Sequence, residues 1–315
     1  MIFDTLLGND RLKQNLAESL AKGHISHFYL ISGPRGSGKK TLAKLMAQSI
    51  LCRGSQKPCG TCDACRKIAN HNHPDVLTVE DPDHKNVAVK IVRQFREDVF
   101  ILPNESDYKI YIFPQDLGVE GQNALLKILE EPPKYGVFLL LTDNPEKILP
   151  TVRSRCTELK LLPLPQNTLN TYLCARFPDA GPEEIDAAAA RSGGFLGQAL
   201  ELLESGGALP PQTADFARAI GSRDPLLLAQ TLIPMEKWKR DALSDILQSW
   251  LELTEEALAE RSGRPALSPQ ARILGGSRTP AELYQISQCL KQALDYTGAN
   301  VSPAAICGWL IWQLR

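Results

Sequence analysis

Phe28-Tyr29-Leu30-Ile31-Ser32-Gly33-Pro34-Arg35-Gly36-Ser37-Gly38-Lys39-Lys40-Thr41-Leu42 decides the fold of the first half of the chain. Phe28–Ser32 reads as a short buried strand. The Gly-rich turn after it fits the P-loop template as far as Lys39. Beyond the turn, Leu42, Leu45, Met46, Ser49 and Ile50 fall at helical spacing, with Ala43 and Ala47 beside them. Strand, turn and helix in this order make a phosphate cradle. Backbone N–H groups close on phosphate oxygens, the helix N-terminus adds its dipole, and the lysine adds a point charge. The template then asks for Ser or Thr to hold Mg²⁺, and this chain has Lys40. Thr41 cannot stand in, because one step along a helix turns a side chain through about 100°. Gly33, Gly36, Gly38 and Lys39 are therefore the candidate nucleotide-binding residues. Two readings stay open: a loop kept by the fold and empty of ATP or ADP, and a loop that binds nucleotide without efficient hydrolysis.

Outward from the loop, further strands are expected at Val76–Val79, Ile110–Phe113 and Val137–Leu141, with a closing strand at Leu159–Leu162. Helical patterns at Val87–Ile101 and Glu120–Glu130 lie between them. Alternating strands and helices predict a mostly parallel sheet covered on both faces. After Pro163 and Pro165 the periodicity is helical to the last residue. Leu243, Ile246, Leu247, Trp250, Leu251 and Leu258 form one apolar stripe; Leu283, Ile286, Leu290, Ala293 and Leu294 form another. Breaks fall at Gly206–Pro211 and at Ser262–Pro265. The expected class is α/β followed by all-α. Its parts are an α/β domain over residues 1–163, a small helical domain over 164–207 and a larger one over 208–315.

The 315 residues suit two or three domains. A net charge of -1 gives no global field to draw the chain onto nucleic acid, so any DNA contact would be local or shared with partners. No run reaches the roughly 18 apolar residues of a membrane span. Met1-Ile2-Phe3-Asp4 lacks the basic and apolar runs of a signal peptide. The expectation is a cytoplasmic protein without membrane contact.

Cys52, Cys59, Cys62 and Cys65 form C-x6-C-x2-C-x2-C. Two-residue gaps let successive thiolates face one ion, and four thiolates close a tetrahedral Zn²⁺ shell with no open position. The site should be structural, in a reducing compartment where such a cluster reads as a metal module over about 52–65. His71 and His73 are expected in a polar connector instead. Cys174, Cys289 and Cys307 are expected in the core, and so by default are Trp238, Trp250, Trp309 and Trp312, with an oligomer interface as the alternative.

A working ATPase also needs an acidic pair at a strand end. Here the strand Lys109–Phe113 runs into Pro114-Gln115-Asp116, and Asp116 lies beyond the expected position. Loss of hydrolysis is the expectation.

Three segments resemble the AAA+ clamp-loader family of bacterial DNA polymerase III. They are Phe3-Asp4-Thr5-Leu6-Leu7-Gly8-Asn9, the run Asn123-Ala124-Leu125-Leu126-Lys127-Ile128-Leu129-Glu130-Glu131-Pro132-Pro133, and Pro145–Cys156 with its Ser154-Arg155-Cys156. A cysteine module after the P-loop helix is also typical of that family. The resemblance implies that residues 164–207 are a helical lid and 208–315 an oligomerising collar. It implies motor (gamma/tau) and delta-type subunits as partners, with sliding clamp and primed DNA reached through the complex. It also implies that Arg155 is a finger reaching a neighbour's ATP. On residues alone, Arg155 reads as a surface arginine or as the partner of a carboxylate such as Glu158; Arg153 reads as a solvated neighbour. Lys40, Pro114-Gln115 and Gly197, where motor subunits carry a γ-phosphate-sensing arginine, place the chain with the family's non-motor members. Two alternatives remain. One is an active motor ATPase using Lys39, Thr41 and Asp116. The other is a zinc-dependent nucleic-acid module using Lys57, Arg66 and Lys67.

Overall fold

The computed structural model describes residues 5–82, 86–204, 210–263, 268–299 and 301–314. Phe3 and Asp4 of the opening segment, the break at 206–209 and Arg264-Pro265 lie outside them. The chain divides into two compact units, Met1–Ser205 and Gly206–Arg315.

The first unit is built on strands β1 (Phe28–Ser32), β2 (Val76–Thr78), β3 (Lys109–Phe113), β4 (Gly136–Thr142) and β5 (Thr157–Lys160). They form one parallel sheet in the order β2-β3-β4-β1-β5. Helix α1 (Asp10–Ala21) precedes the sheet, and α2 (Lys39–Leu51), α3 (Asp63–Ala69), α4 (Val89–Asp98), α5 (Val119–Glu130) and the short α6 (Pro150–Arg153) lie between its strands.

Strand side chains alternate between the two faces. Tyr29, Ile31, Ile110, Leu139 and Leu141 pack with Leu16 of α1 and Leu42 and Met46 of α2. Phe28, Leu30, Tyr111, Phe113, Phe138 and Leu140 pack with Val92 and Phe95 of α4 and Leu125 and Ile128 of α5. That second face is aromatic: Phe28 and Tyr111 stack on Phe138 with centroids 4.3 and 5.3 Å away. Phe95 meets Tyr111 edge-on at 4.8 Å.

The closing strand lies two residues earlier than expected, at Thr157–Lys160, pairing Tyr29 with Thr157 and Ser32 with Lys160. It is an exposed edge strand. The apolar run Leu159–Leu162 misplaced it because the buried Leu161 already belongs to the exit from the sheet.

Helices α7 (Gln166–Arg176), α8 (Pro182–Arg191) and α9 (Leu196–Glu204) complete this unit around their own cluster of Leu169, Leu173, Ile185, Ala188, Ala199 and Leu203. Cys174 of α7 is exposed, contrary to the expected core position, because Leu169 and Leu173 define the inward face of that helix.

The second unit is helical: α10 (Pro211–Ser222), α11 (Pro225–Leu232), α12 (Arg240–Arg261), α13 (Pro269–Ser277), α14 (Pro280–Gly298) and α15 (Pro303–Leu314). The α12 stripe is buried through Leu243, Leu247 and Trp250, with Leu258 only partly covered. Trp250 stacks on Phe216 at 4.2 Å. Cys307 is buried and Cys289 partly so. Trp238 and Trp309 pack against the core, but Trp312 is 59% exposed. Among the described residues, no helix is long and apolar enough to cross a membrane.

Candidate functional site

The P-loop leaves β1, which lies between β4 and β5, at the carboxyl ends of the strands. This is where open α/β sheets bind ligands. Gly36 and Gly38 take positive φ (77° and 94°), a conformation that only glycine adopts at no steric cost. Lys39 is tied down by neighbouring groups. Its Nζ donates to the carbonyls of Gly33 (2.6 Å) and Pro34 (2.9 Å) and to Asp143 Oδ1 (2.5 Å).

The loop is also held from outside, by the N-terminus of α9. Gly197 N donates to Gly36 O at 2.9 Å, and Gln198 Nε2 donates to Arg35 O at 3.0 Å. Arg35 pairs with Glu201 at 3.1 Å. A Cβ on Gly197 would stand 2.6 Å from Gly36 Cα. Backbone meets backbone here, so position 197 has no room for a side chain in this arrangement.

The acidic side of the cleft is no better suited to a hydrated Mg²⁺. Gln115 is tied to the backbone of Asp81: its Oε1 accepts from Asp81 N (2.6 Å) and its Nε2 donates to Asp81 O (2.9 Å). Asp116 accepts from the Thr142 hydroxyl at 2.8 Å. Asp143 is the partner of Lys39. With Lys40 where the template needs a hydroxyl, these residues do not fit a magnesium–triphosphate centre.

The four cysteines do converge. Their Sγ atoms lie within 4.8 Å of one another, and all four are free of disulfides. Cys52 and Cys62 Sγ are 3.9 Å apart, close to the edge of about 3.8 Å that a tetrahedral Zn–S shell at ~2.3 Å would have. Backbone amides point at the sulfurs: Gly54 N and Cys59 N donate to Cys52 at 3.3 Å each, Cys62 N to Cys59 at 3.3 Å, and Cys65 N to Cys62 at 3.5 Å. The N–H of Cys62, helped by Thr61, draws the Cys59 thiol down to about 6. Burial pushes Cys65 up to about 12. Four convergent thiols with amide support are a chemically sound metal set, so the residues fit a metal ion.

His73 is not part of this set; it lies in the polar connector between α3 and β2, but turned inward. Its side chain is buried; Nδ1 accepts from Asp75 N at 3.1 Å, and Nε2 is 3.5 Å from Glu105. Sequence reasoning missed this small polar core. The carboxylate of Asp75 accepts from the backbone N–H groups of Asn104, Glu105 and Ser106 (2.5, 2.9 and 3.0 Å). Glu105 receives Lys67 at 2.7 Å on both oxygens, and its carbonyl accepts from Arg53. The cysteine module is thus fastened to the sheet through Glu105. Arg66 pairs with Asp63 at 2.5 Å. Two of the three basic residues offered for a nucleic-acid surface are therefore engaged by carboxylates.

Arg155 lies just before the edge strand β5, 40% exposed. Nη1 donates to Thr151 O at 2.9 Å, and Nη2 is 3.4 Å from Glu130 Oε1. Arg155 is thus a surface arginine paired with a carboxylate, Glu130 in place of Glu158, whereas Arg153 is not merely a solvated neighbour. Arg153, not Arg155, pairs with Glu158 (3.1 Å), and it also pairs with Glu146 (3.1 Å). Arg153 sits in the last turn of α6, directly ahead of the strand that carries Glu158, whereas Arg155 is turned toward the end of α5.

Known proteins share this architecture. A DNA polymerase III gamma/tau subunit of Mycobacterium bovis is 35% identical over 175 residues, covering 54% of this chain and 30% of that protein. The Bacillus subtilis DNA polymerase III delta' subunit is 34% identical over 166 residues, covering 52% of this chain and 50% of that protein. The chain therefore spans half or less of the length of these relatives. The crystal structure of a DNA polymerase III gamma subunit-related protein from Thermotoga maritima superposes with a TM-score of 0.50 at 18% identity, covering 96% of this chain and 99% of that one, and it shares the fold. The family described as "DNA polymerase III, delta subunit" matches residues 8–165, half of the chain, which carry the phosphate loop, the cysteine cluster and Arg155. By that match this chain belongs to the DNA polymerase III delta subunit family of clamp-loader proteins.

Proposed function

We propose that the chain is a non-motor clamp-loader subunit of the delta-prime type. It supports ATP-dependent loading of the sliding clamp on primed DNA and lends Arg155 to the ATP site of a neighbouring gamma/tau-type subunit. It does not turn over ATP itself, and it acts as a component of the polymerase holoenzyme alongside delta- and gamma/tau-type subunits. The second unit is the collar that joins it to them. The four cysteines hold one structural zinc ion.

The observation that carries the reading is the state of the cleft's polar groups. Lys39 is bound to Asp143 and two loop carbonyls, Gln115 to the Asp81 backbone, and Asp116 to Thr142. Hydrolysis would require all three to be released and a hydroxyl to stand in place of Lys40. Arg155 needs no such rearrangement. Its partners are a backbone carbonyl and an exposed carboxylate, and exposed pairs exchange readily. A guanidinium suits the charge that develops on a transferring phosphoryl group, and a finger supplied in trans is worth roughly 10³–10⁵ in rate at a single site.

The experiment compares Arg155→Ala with Lys39→Ala in a loader reconstituted with motor subunits, delta-type subunit, clamp and primed DNA. Arg155→Ala should silence the neighbouring ATP site and slow loading while the complex still assembles. Lys39→Ala should leave both rates within about twofold of wild type, since that lysine is taken up by Asp143 and two loop carbonyls. The reverse ranking would favour the active-motor reading and sink this one.

A further inference from the structure

Arg155 sits at the end of a segment that cannot fix a guanidinium by itself. Residues 145–156 hold only a three-residue 3-10 turn at Pro145–Lys147 and the single turn of α6. Short irregular segments are easily displaced, and a finger misplaced by about 1 Å can cost on the order of 100-fold in rate. Some rigid element must therefore hold the segment, and the contacts identify it as α5.

At the first turn of α5, Gln122 is 1% exposed. Its amide is fully committed. Nε2 donates to Leu117 O (2.8 Å) and to Lys147 O (3.0 Å), and Oε1 accepts from Leu149 N (2.7 Å). One side chain thus holds a carbonyl and an N–H of the finger segment together. At the last residue of α5, Glu130 Oε1 meets Arg155 Nη2 at 3.4 Å. Between these two ends, Leu125, Ile128 and Leu129 of α5 share one apolar cluster with Ile148 and Val152 of the segment. The helix runs beneath the segment from its entry to its guanidinium.

The two ends differ in strength, as a presented finger requires. The Gln122 side chain is buried and fully paired, and its contacts to the segment are half-buried, so breaking them would leave that buried amide unsatisfied. The Glu130 contact is exposed (57% for the Glu130 side chain), and exposed pairs are weak. Glu130 can aim Arg155 and still yield it to a triphosphate, whose charge is greater.

We infer that α5 is the positioning element for Arg155, with Gln122 and Glu130 as the positioning residues. The inference rests on the reading of Arg155 as a finger. Neither residue touches nucleotide; both act through Arg155.

A double-mutant cycle in the reconstituted loader tests this. The quantity read is the ATPase component lost in Arg155→Ala, which is the finger-dependent part. Gln122→Ala should lower that component about 10-fold and Glu130→Ala about threefold, with Glu130→Asp retaining more than Glu130→Gln. In an Arg155→Ala background, neither substitution should cost anything further. A merely structural role would instead lower the rate by the same factor with and without Arg155, and that result overturns the inference. Full finger-dependent activity in both variants overturns it too, while leaving the finger reading intact. Loss of no activity in Arg155→Ala defeats the finger reading itself, and the inference falls with it. Circular dichroism and bound metal report whether each variant folds. Should Gln122→Ala fail to fold, the exposed Glu130 series decides alone.

Discussion

Asp75 is the residue whose chemistry the sequence conceals best. It follows Pro74 in what reads as a connector, yet it is fully buried and gathers three consecutive backbone N–H groups from residues 104–106. Burial alone would raise its carboxyl; the N–H groups of Asn104 and Glu105 outweigh that and hold it below the ordinary value. A carboxyl depressed in the folded state stabilises at every pH above its unfolded value of ~3.9, and that contribution fades as pH falls through the lower folded value. Asp75→Asn should therefore cost about 2–3 kcal/mol at neutral pH, because an amide cannot serve as acceptor on both atoms. The difference from wild type should shrink as pH drops below about 4. Urea unfolding of both proteins from pH 7 to pH 3 checks this; equal stabilities at pH 7 would refute it. Nothing local marks Asp75 as different from the surface aspartates, since its partners lie about thirty residues away. The same holds for Glu130, which looks like any solvated helix residue until Arg155, 25 residues later in the chain, comes to lie beside it. Lys40 and Gln115 were legible because each breaks a template at a fixed offset.

At the level of elements, the strands and the cysteine module were readable for one reason: their determinants are close in sequence. Four of the five expected strands fall within one residue of the observed bounds, since each is an apolar run ended by a turn. The strand β5 was misplaced because its own residues are mostly exposed and the apolar signal comes from Leu161, just beyond it. The module's spacing brought its four sulfurs together, but its attachment to the sheet was hidden in Glu105, which bonds Lys67 and faces His73. That attachment predicts how metal loss spreads. Elemental analysis should find one zinc per chain. Cys62→Ser, or chelation of the metal, should loosen residues 52–69 and the Glu105 loop in hydrogen exchange, while β3 and β4 keep their protection. Glu105→Ala should loosen the module without releasing the metal, as its sulfurs and their amide donors all lie within residues 52–65. Absence of zinc from carefully prepared protein, or protection lost evenly across the sheet, would disprove this account.

Each of the two units of the molecule carries its own apolar clusters. The larger helical cluster draws on α10 to α15 alone, and the sheet clusters on residues before it. Separate cores predict separate cooperative transitions. The sequence supplies a convenient reporter, because all four tryptophans, Trp238, Trp250, Trp309 and Trp312, belong to the second unit. Tryptophan fluorescence therefore follows that unit only, and release of the metal follows the first. Leu247 is fully buried on α12, in the cluster that includes Trp250 and Leu290. Leu247→Ala should cost about 2–5 kcal/mol in that unit through lost burial and the cavity left behind. The fluorescence midpoint in a thermal scan should fall by roughly 10 °C or more, a size typical of a small domain. Metal release should stay at the wild-type temperature. Asp75→Asn should do the converse, moving metal release and leaving fluorescence in place. A single shared midpoint that both substitutions shift equally would mean that the two cores unfold as one, and the unit-by-unit description of stability would be wrong.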